Sequence, residues 1–153
     1  AGGGFGLAMS CDISIAASSA FFVSTFGPRL GIVPDLGTSY HLPLRTGAAR
    51  ARGIAMLGGR VTAAQAVEWG LIWQAVDDDQ LDAAVDEVTT TLKRSSPTAM
   101  TRIRSAISEA PHNTLSEQLD LELRHQRDLI PLNLAEGAAA FVDKREPNFS
   151  PTR

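Results

Sequence analysis

Ala1-Gly2-Gly3-Gly4-Phe5-Gly6-Leu7-Ala8-Met9-Ser10-Cys11-Asp12-Ile13-Ser14-Ile15-Ala16-Ala17 is the stretch on which the reading of this chain turns. A triple glycine at the head of a helix lets the backbone approach a ligand and aims unbonded N–H groups at it, which suits a developing negative charge. A tight structural turn uses the same residues, because glycine is the ordinary occupant where φ must be positive; on the residues alone both readings stand. No Gly-Lys-Ser/Thr follows the run and no strand is visible before it, so it departs from both the Walker and the dinucleotide-binding patterns. Phe5 to Ser10 predicts a short helix. Cys11 to Ala16 alternates apolar and polar with period 2 and predicts a half-buried strand.

Outward from this stretch, Ala20 to Val23 predicts a second short strand. Between Thr25 and Pro43 stand Gly27, Pro28, Gly31, Pro34, Gly37 and Pro43, too many breakers for one long element, so loop with short helical turns is expected. Helical spacing resumes over Ala48 to Leu57. Thr62 then caps a helix from Ala63 to Trp69 that stops at Gly70, and Leu71 to Val76 predicts a strand. Asp77-Asp78-Asp79 reads as the acidic cap of a helix carrying Leu81, Ala84, Val85, Val88 and Leu92 on one face. Ser95-Ser96-Pro97 opens a helix with Met100, Ile103, Ala106 and Ile107 on a face. After Asn113 a longer helix aligns Leu115, Leu119 and Leu123 and is expected to end at Pro131; a last one runs from Ala135 to Asp143. Strands first and helices second imply an α/β core over 1–96 and an appended helical block over 97–153.

Composition narrows the function classes. The 153 residues carry a net charge of -3, with 44% hydrophobic and 20% charged residues, the balance of an ordinary globular domain. At this length a compact chain hides about 70% of its unfolded surface, enough to need no disulfide or structural metal. The single cysteine, Cys11, builds neither a disulfide framework nor a cysteine zinc site; it reads as a small buried hydrophobe, and a reducing compartment, the cytoplasm, is the simplest expectation. Lys and Arg are scattered rather than gathered on a basic face, so nucleic acid is not expected as a partner. No apolar run approaches the ~20 residues of a membrane span, so no membrane partner is expected either. His41, His112 and His125 are isolated and form no ligand spacing, and no metal is expected. The chain opens without Met directly in its glycine run, which leads us to expect a piece of a larger domain.

The opening stretch resembles the signature of the crotonase superfamily, the enoyl-CoA hydratases and isomerases. Three further segments agree in order: Gly31-Ile32-Val33-Pro34-Asp35-Leu36-Gly37 with Leu42-Pro43 looks like the active-site loop, and Thr62-Ala63-Ala64-Gln65-Ala66-Val67-Glu68-Trp69-Gly70-Leu71-Ile72 like the helix-to-strand step. Glu136-Gly137 through Phe141, Lys144-Arg145 and Pro147 to Phe149 looks like the C-terminal signature. The resemblance implies the C-terminal part of a crotonase-type ββα superhelix followed by a helical region for trimerisation and coverage of coenzyme A. It implies an acyl-CoA thioester substrate, no cofactor beyond the coenzyme A of that substrate, and a homotrimer or dimer of trimers.

Carried over position by position, the resemblance makes Gly3 one of two backbone donors to the thioester oxygen, with the second donor outside this chain. Gly2, Gly4 and Phe26 become substrate-binding residues, and Lys144, with Arg145, a contact to the phosphates or adenine of coenzyme A bound mainly by an adjacent subunit. The solvated helix C-terminus, which favours cations, explains Lys144 equally well. Hydratases of the family carry two glutamates, at positions that fall here on Gly6 and Phe26, and neither residue moves a proton. Asp35 stands where ring-epoxide and dienoyl-CoA isomerases bear an aspartate. A lone carboxylate suits a proton shuttle that takes a proton from one carbon of an enolate and returns it to another, so an acyl-CoA isomerase is expected, with hydratase and non-catalytic binding protein as alternatives. Thr38 stands where the family often has a second glycine, and Leu44-Arg45 reverses the common order.

Overall fold

The computed structural model describes residues 1–149, in two compact units, Ala1–Val85 and one from Asp86 onward. The first unit opens with α1 (Gly3–Ser10), β1 (Ile15–Ala17) and β2 (Phe21–Phe22), followed by a single π-helical turn, Phe26–Leu30. Then come α2 (Thr38–Leu57), β3 (Val61–Thr62), α3 (Ala63–Glu68) and β4 (Gln74–Val76). β1 runs parallel to β4, Ala16 opposite Ala75, and β2 antiparallel to β3, Phe22 opposite Val61. The parallel pair needs a long crossover, and α2 and α3 supply it. Between these elements Phe5, Met9, Leu42, Ile54, Val61, Leu71 and Ile72 form the core, each at most 5% exposed. Each such side chain stabilises the unit by about 1.5–3 kcal/mol relative to exposure.

Several expectations need correction, beginning with the first unit. The strand predicted over Cys11 to Ala16 is confined to Ile15–Ala17, the residues that have β4 beside them; upstream, Arg45 ties the chain instead, donating to the carbonyls of Cys11 and Leu71. Cys11 is exposed rather than buried. The breaker-rich segment becomes helical from Thr38, with Pro43 inside α2, and the helix bends at Gly47, whose φ of 76° and ψ of 159° leave the helical region. Ala48 to Leu57 is helical as expected. α3 also follows the sequence: the Thr62 hydroxyl accepts from Gln65 N–H, the Gln65 side chain accepts from Thr62 N–H, and Gly70 turns left-handed at φ 74°.

The aspartate triplet does not cap through Asp77, which makes no side-chain cap bond. Asp78 instead accepts from the Ser18 hydroxyl (3.2 Å) and the Ser19 N–H (3.0 Å). Those bonds from Ser19, then Ser18, hold its carboxyl below the usual aspartate range.

α4 (Leu81–Arg94) leads into the second unit, which holds α5 (Pro97–Glu109), α6 (Leu115–Leu129) and α7 (Ala135–Asp143). Ser96 caps α5 by accepting from Ala99 N–H, with Pro97 in the first turn. Thr114 and Glu117 form the capping box of α6; the Thr114 donors keep Glu117 below its ordinary range. Pro131 does not end the helical path: the chain widens into a π-helical turn, Ile130–Leu134, that runs straight into α7. Leu115, Leu119 and Leu123 stay exposed, and the residues α6 buries are Leu121 and His125.

The C-terminal signature forms a clasp. Arg145 donates from both terminal nitrogens to Glu136 (2.7 and 3.0 Å), Asn148 N–H donates to the same carboxylate (2.6 Å), and the Phe149 ring lies against Gly137. Arg145 first, then Asn148, draw the Glu136 carboxyl down to about 2. Among the described residues no helix is long and apolar enough to cross a membrane.

Candidate active site

The site begins at the N-terminus of α1. Gly2 precedes the helix at φ 54° and ψ -133°, a conformation for which only glycine lacks a steric penalty. No side chain caps the helix and its first turn holds no acid. Phe5 N–H bonds the Gly2 carbonyl at 2.9 Å, whereas the amides of Gly3 and Gly4, at the first two helical positions, have no intrahelical carbonyl to reach. Two backbone donors at the positive end of a helix are suited to an oxyanion.

The second part is the loop from Pro34 into α2. Thr38 N–H closes a turn onto the Asp35 carbonyl (2.9 Å), and the Gly37 carbonyl accepts from Tyr40 and His41 N–H (3.0 and 2.9 Å). Leu36 sits at φ 47°, a left-handed conformation that costs an L-residue about 1–2 kcal/mol. The loop lies on α1: a Cβ on Gly3 would stand 3.2 Å from Leu36 Cδ1. A Cβ on Gly6 would stand 2.6 Å from Thr38 Oγ1, 2.9 Å from Leu36 Cβ and 3.1 Å from the Asp35 carbonyl oxygen. Thr38 is fully buried, and its hydroxyl has no hydrogen-bond partner.

The fold thus brings Gly2, Gly3, Gly4 and Asp35 to one helix end and the loop laid along it, with Asp35 exposed. Phe26 opens the π-helical turn and is 4% exposed; its ring packs inside the unit, and its carbonyl accepts from Ile32 N–H. Lys144 belongs to the second unit, where it ends α7 in a left-handed conformation (φ 52°) and is exposed. Arg145, grouped with it in the sequence, is committed to Glu136. Beside the loop a largely apolar groove of about 210 Å³ is lined by Pro34, Thr38, Leu42, Pro43, Ala55 and Met56. Among the described residues no group of three His, Cys, Asp or Glu is placed to hold a metal.

Sequence reasoning missed Leu36 and Thr38 as the residues that seat the loop, and read Gly6 only as a missing acid. One signal was available: Gly6 lies inside a helix, where glycine costs about 1 kcal/mol against alanine and so calls for a packing reason.

Comparison with known proteins agrees with this architecture. The chain is 44% identical over 151 residues to the 1,2-epoxyphenylacetyl-CoA isomerase of Escherichia coli (strain K12), covering 98% of this chain and 57% of that protein. It is 37% identical to a probable enoyl-CoA hydratase of Rhodobacter capsulatus, covering 98% of this chain and 58% of the relative. The crystal structure of an enoyl-CoA hydratase from Polaromonas sp. JS666 superposes with a TM-score of 0.90 at 35% identity, covering 97% of this chain and 58% of that one. The chain therefore spans a little over half the length of the relatives it matches. The enoyl-CoA hydratase/isomerase profile matches residues 1–152. With its crotonase-type α/β fold, the chain belongs to the enoyl-CoA hydratase/isomerase family of the crotonase superfamily.

Proposed function

We propose that the intact protein is an acyl-CoA isomerase in which Asp35 is the proton shuttle. The carrying observation is the seat of the loop on α1: Thr38, Leu36 and the Asp35 carbonyl fill the space over Gly6, leaving no room there for a second acid. No Asp or Glu stands between Ala16 and Pro34, so Asp35 is the carboxylate at this end of the site. The isomerase name of the Escherichia coli relative supports the same choice.

For a 3-enoyl-CoA, the Asp35 carboxylate takes a proton from the carbon next to the thioester. The electron pair of that C–H bond spreads over the conjugated enolate, and its charge falls largely on the thioester oxygen. Gly3 N–H donates to that oxygen, with Gly2 and Gly4 shaping the approach; one such donor is typically worth about 2.7–4 kcal/mol in the transition state. Asp35 then returns the proton two carbons further along, and the double bond moves into conjugation. The ring-epoxide rearrangement of an aryl-acyl-CoA is the second substrate class the same enolate chemistry serves. Water is not consumed, so no second acid is required.

Lys144 meets a phosphate of coenzyme A that is bound mainly by an adjacent subunit, whereas Phe26, buried within its unit, does not reach the substrate. The protein works in the cytoplasm as a homotrimer or dimer of trimers, with no cofactor beyond the substrate's coenzyme A. By the resemblance the family's second oxyanion donor lies outside these residues, and the chain spans a little over half the length of its relatives, so the proposal concerns the intact protein. Hydration is the second reading, favoured by the probable hydratase name of the Rhodobacter capsulatus relative. Turnover of a 3-enoyl-CoA by the intact protein and its Asp35→Asn variant decides: isomerisation that collapses in the variant supports the shuttle, whereas robust hydration of crotonyl-CoA with negligible isomerisation supports the second reading.

A further inference from the structure

Gly3 and Gly6 are three residues apart in α1 and so share a face of the helix. On that face lie Leu36 and Thr38: Leu36 Cδ1 is 3.2 Å from the place a Gly3 Cβ would take, and Thr38 Oγ1 and Leu36 Cβ are 2.6 and 2.9 Å from that of a Gly6 Cβ. Real Cβ atoms essentially never approach other atoms as closely as the last two contacts, so any side chain at position 6 must push the loop away. The Asp35 carbonyl, 3.1 Å from the same point, moves with it. Gly4, the residue between, faces open space. Close approach is thus built at positions 3 and 6 and nowhere else in the run.

From this we infer that Gly6 is a positioning residue: its bare backbone sets the distance between the Asp35 loop and the Gly3 amide, and the strained Leu36 is the spacer pressed between them. The inference rests on the assignment of Asp35 as the shuttle and adds how that group is held. Displacing reacting groups by about 1 Å costs on the order of 100-fold in rate while leaving binding largely intact.

The test compares four variants of the intact protein in turnover of a 3-enoyl-CoA: Gly6→Ala, Gly6→Ala with Thr38→Ala, Gly53→Ala and Asp35→Asn. Gly53 is a helical glycine in α2 with open space at its Cβ position, and its variant controls for the helix-forming effect of alanine. Gly6→Ala is expected to lower kcat by about 100-fold with little change in KM, and Thr38→Ala, which removes the 2.6 Å contact, to restore part of that loss. Gly53→Ala keeps parental turnover. Retained kcat in Gly6→Ala overturns the inference, as does a loss that falls equally on binding and is not restored by Thr38→Ala. Should Gly6→Ala fail to fold, Leu36→Ala adds no volume and removes the spacer; a lowered kcat at parental KM supports the inference and unchanged kcat overturns it. If Asp35→Asn retains turnover, the shuttle assignment itself has failed. If Asp35→Asn is dead and Gly6→Ala is not, only the positioning role has.

Discussion

Replacing Thr38 by valine should stabilise the protein. The side chain is fully buried, and its Oγ1 finds no hydrogen-bond partner. A buried hydroxyl without a partner costs about 1–3 kcal/mol, because it gave up water on folding and received nothing in return. Valine keeps the shape and differs little from threonine in helix propensity, so Thr38→Val removes the desolvation cost and little else. A gain of about 1–2 kcal/mol is expected, and at roughly 2–4 °C per kcal/mol for a chain of this size it raises Tm by about 2–8 °C. Thr38→Ala also discards the methyl group, worth about 0.8 kcal/mol of burial, and so falls below valine. Urea unfolding followed by tryptophan fluorescence reads both, with an unchanged m-value marking a change in stability rather than in the unfolded chain. If Thr38→Val loses about 1 kcal/mol or more, the hydroxyl is bonded in the native protein, and the seat of the loop on α1 has been described wrongly.

Thr62→Ala removes both hydroxyl contacts of the capping box that starts α3 and should cost about 0.5–2 kcal/mol in urea unfolding; a change indistinguishable from zero means the box contributes nothing there. The Glu136 carboxyl, drawn from 4.5 to about 2 by Arg145 and Asn148, makes a contribution to stability that is present above pH 4.5 and lost as pH falls through 2. Glu136→Gln should therefore flatten the dependence of stability on pH in that window, and an unaltered acid limb would show that the clasp is not its source.

The parts of the fold legible in the sequence are those whose cause is local. Thr62 with Gln65, Ser96 with Ala99, and Thr114 with Glu117 each start a helix through bonds spanning three residues, so the chain announces them wherever it goes. Strand extents were less legible because a strand needs a partner: Ile15–Ala17 is a strand only because Gln74–Val76, far along the chain, lies beside it. Pro43 and Pro131 were read as stops; yet α2 carries Pro43 in its interior and α6 passes Pro131 by widening into a π-helical turn. At the site, Gly3 and Asp35 are candidates that the family resemblance, carried by residue types and their order, puts forward. The seat between them was not legible, since the meaning of Gly6 lies in residues 30 positions away that fill the space above it. Arg145 was misjudged for a related reason: sequence offers a cation, and the fold has already spent it on Glu136.

The shuttle assignment is tested most directly by exchange of the α-proton of a bound acyl-CoA thioester with solvent deuterium, in the intact protein and in Asp35→Asn. Asparagine keeps the size and much of the hydrogen bonding but accepts no proton, and general-base transfer contributes about 100-fold to 10,000-fold. The account predicts that exchange and isomerisation fall together by that range while thioester affinity is unchanged. Exchange at the parental rate in Asp35→Asn would contradict it.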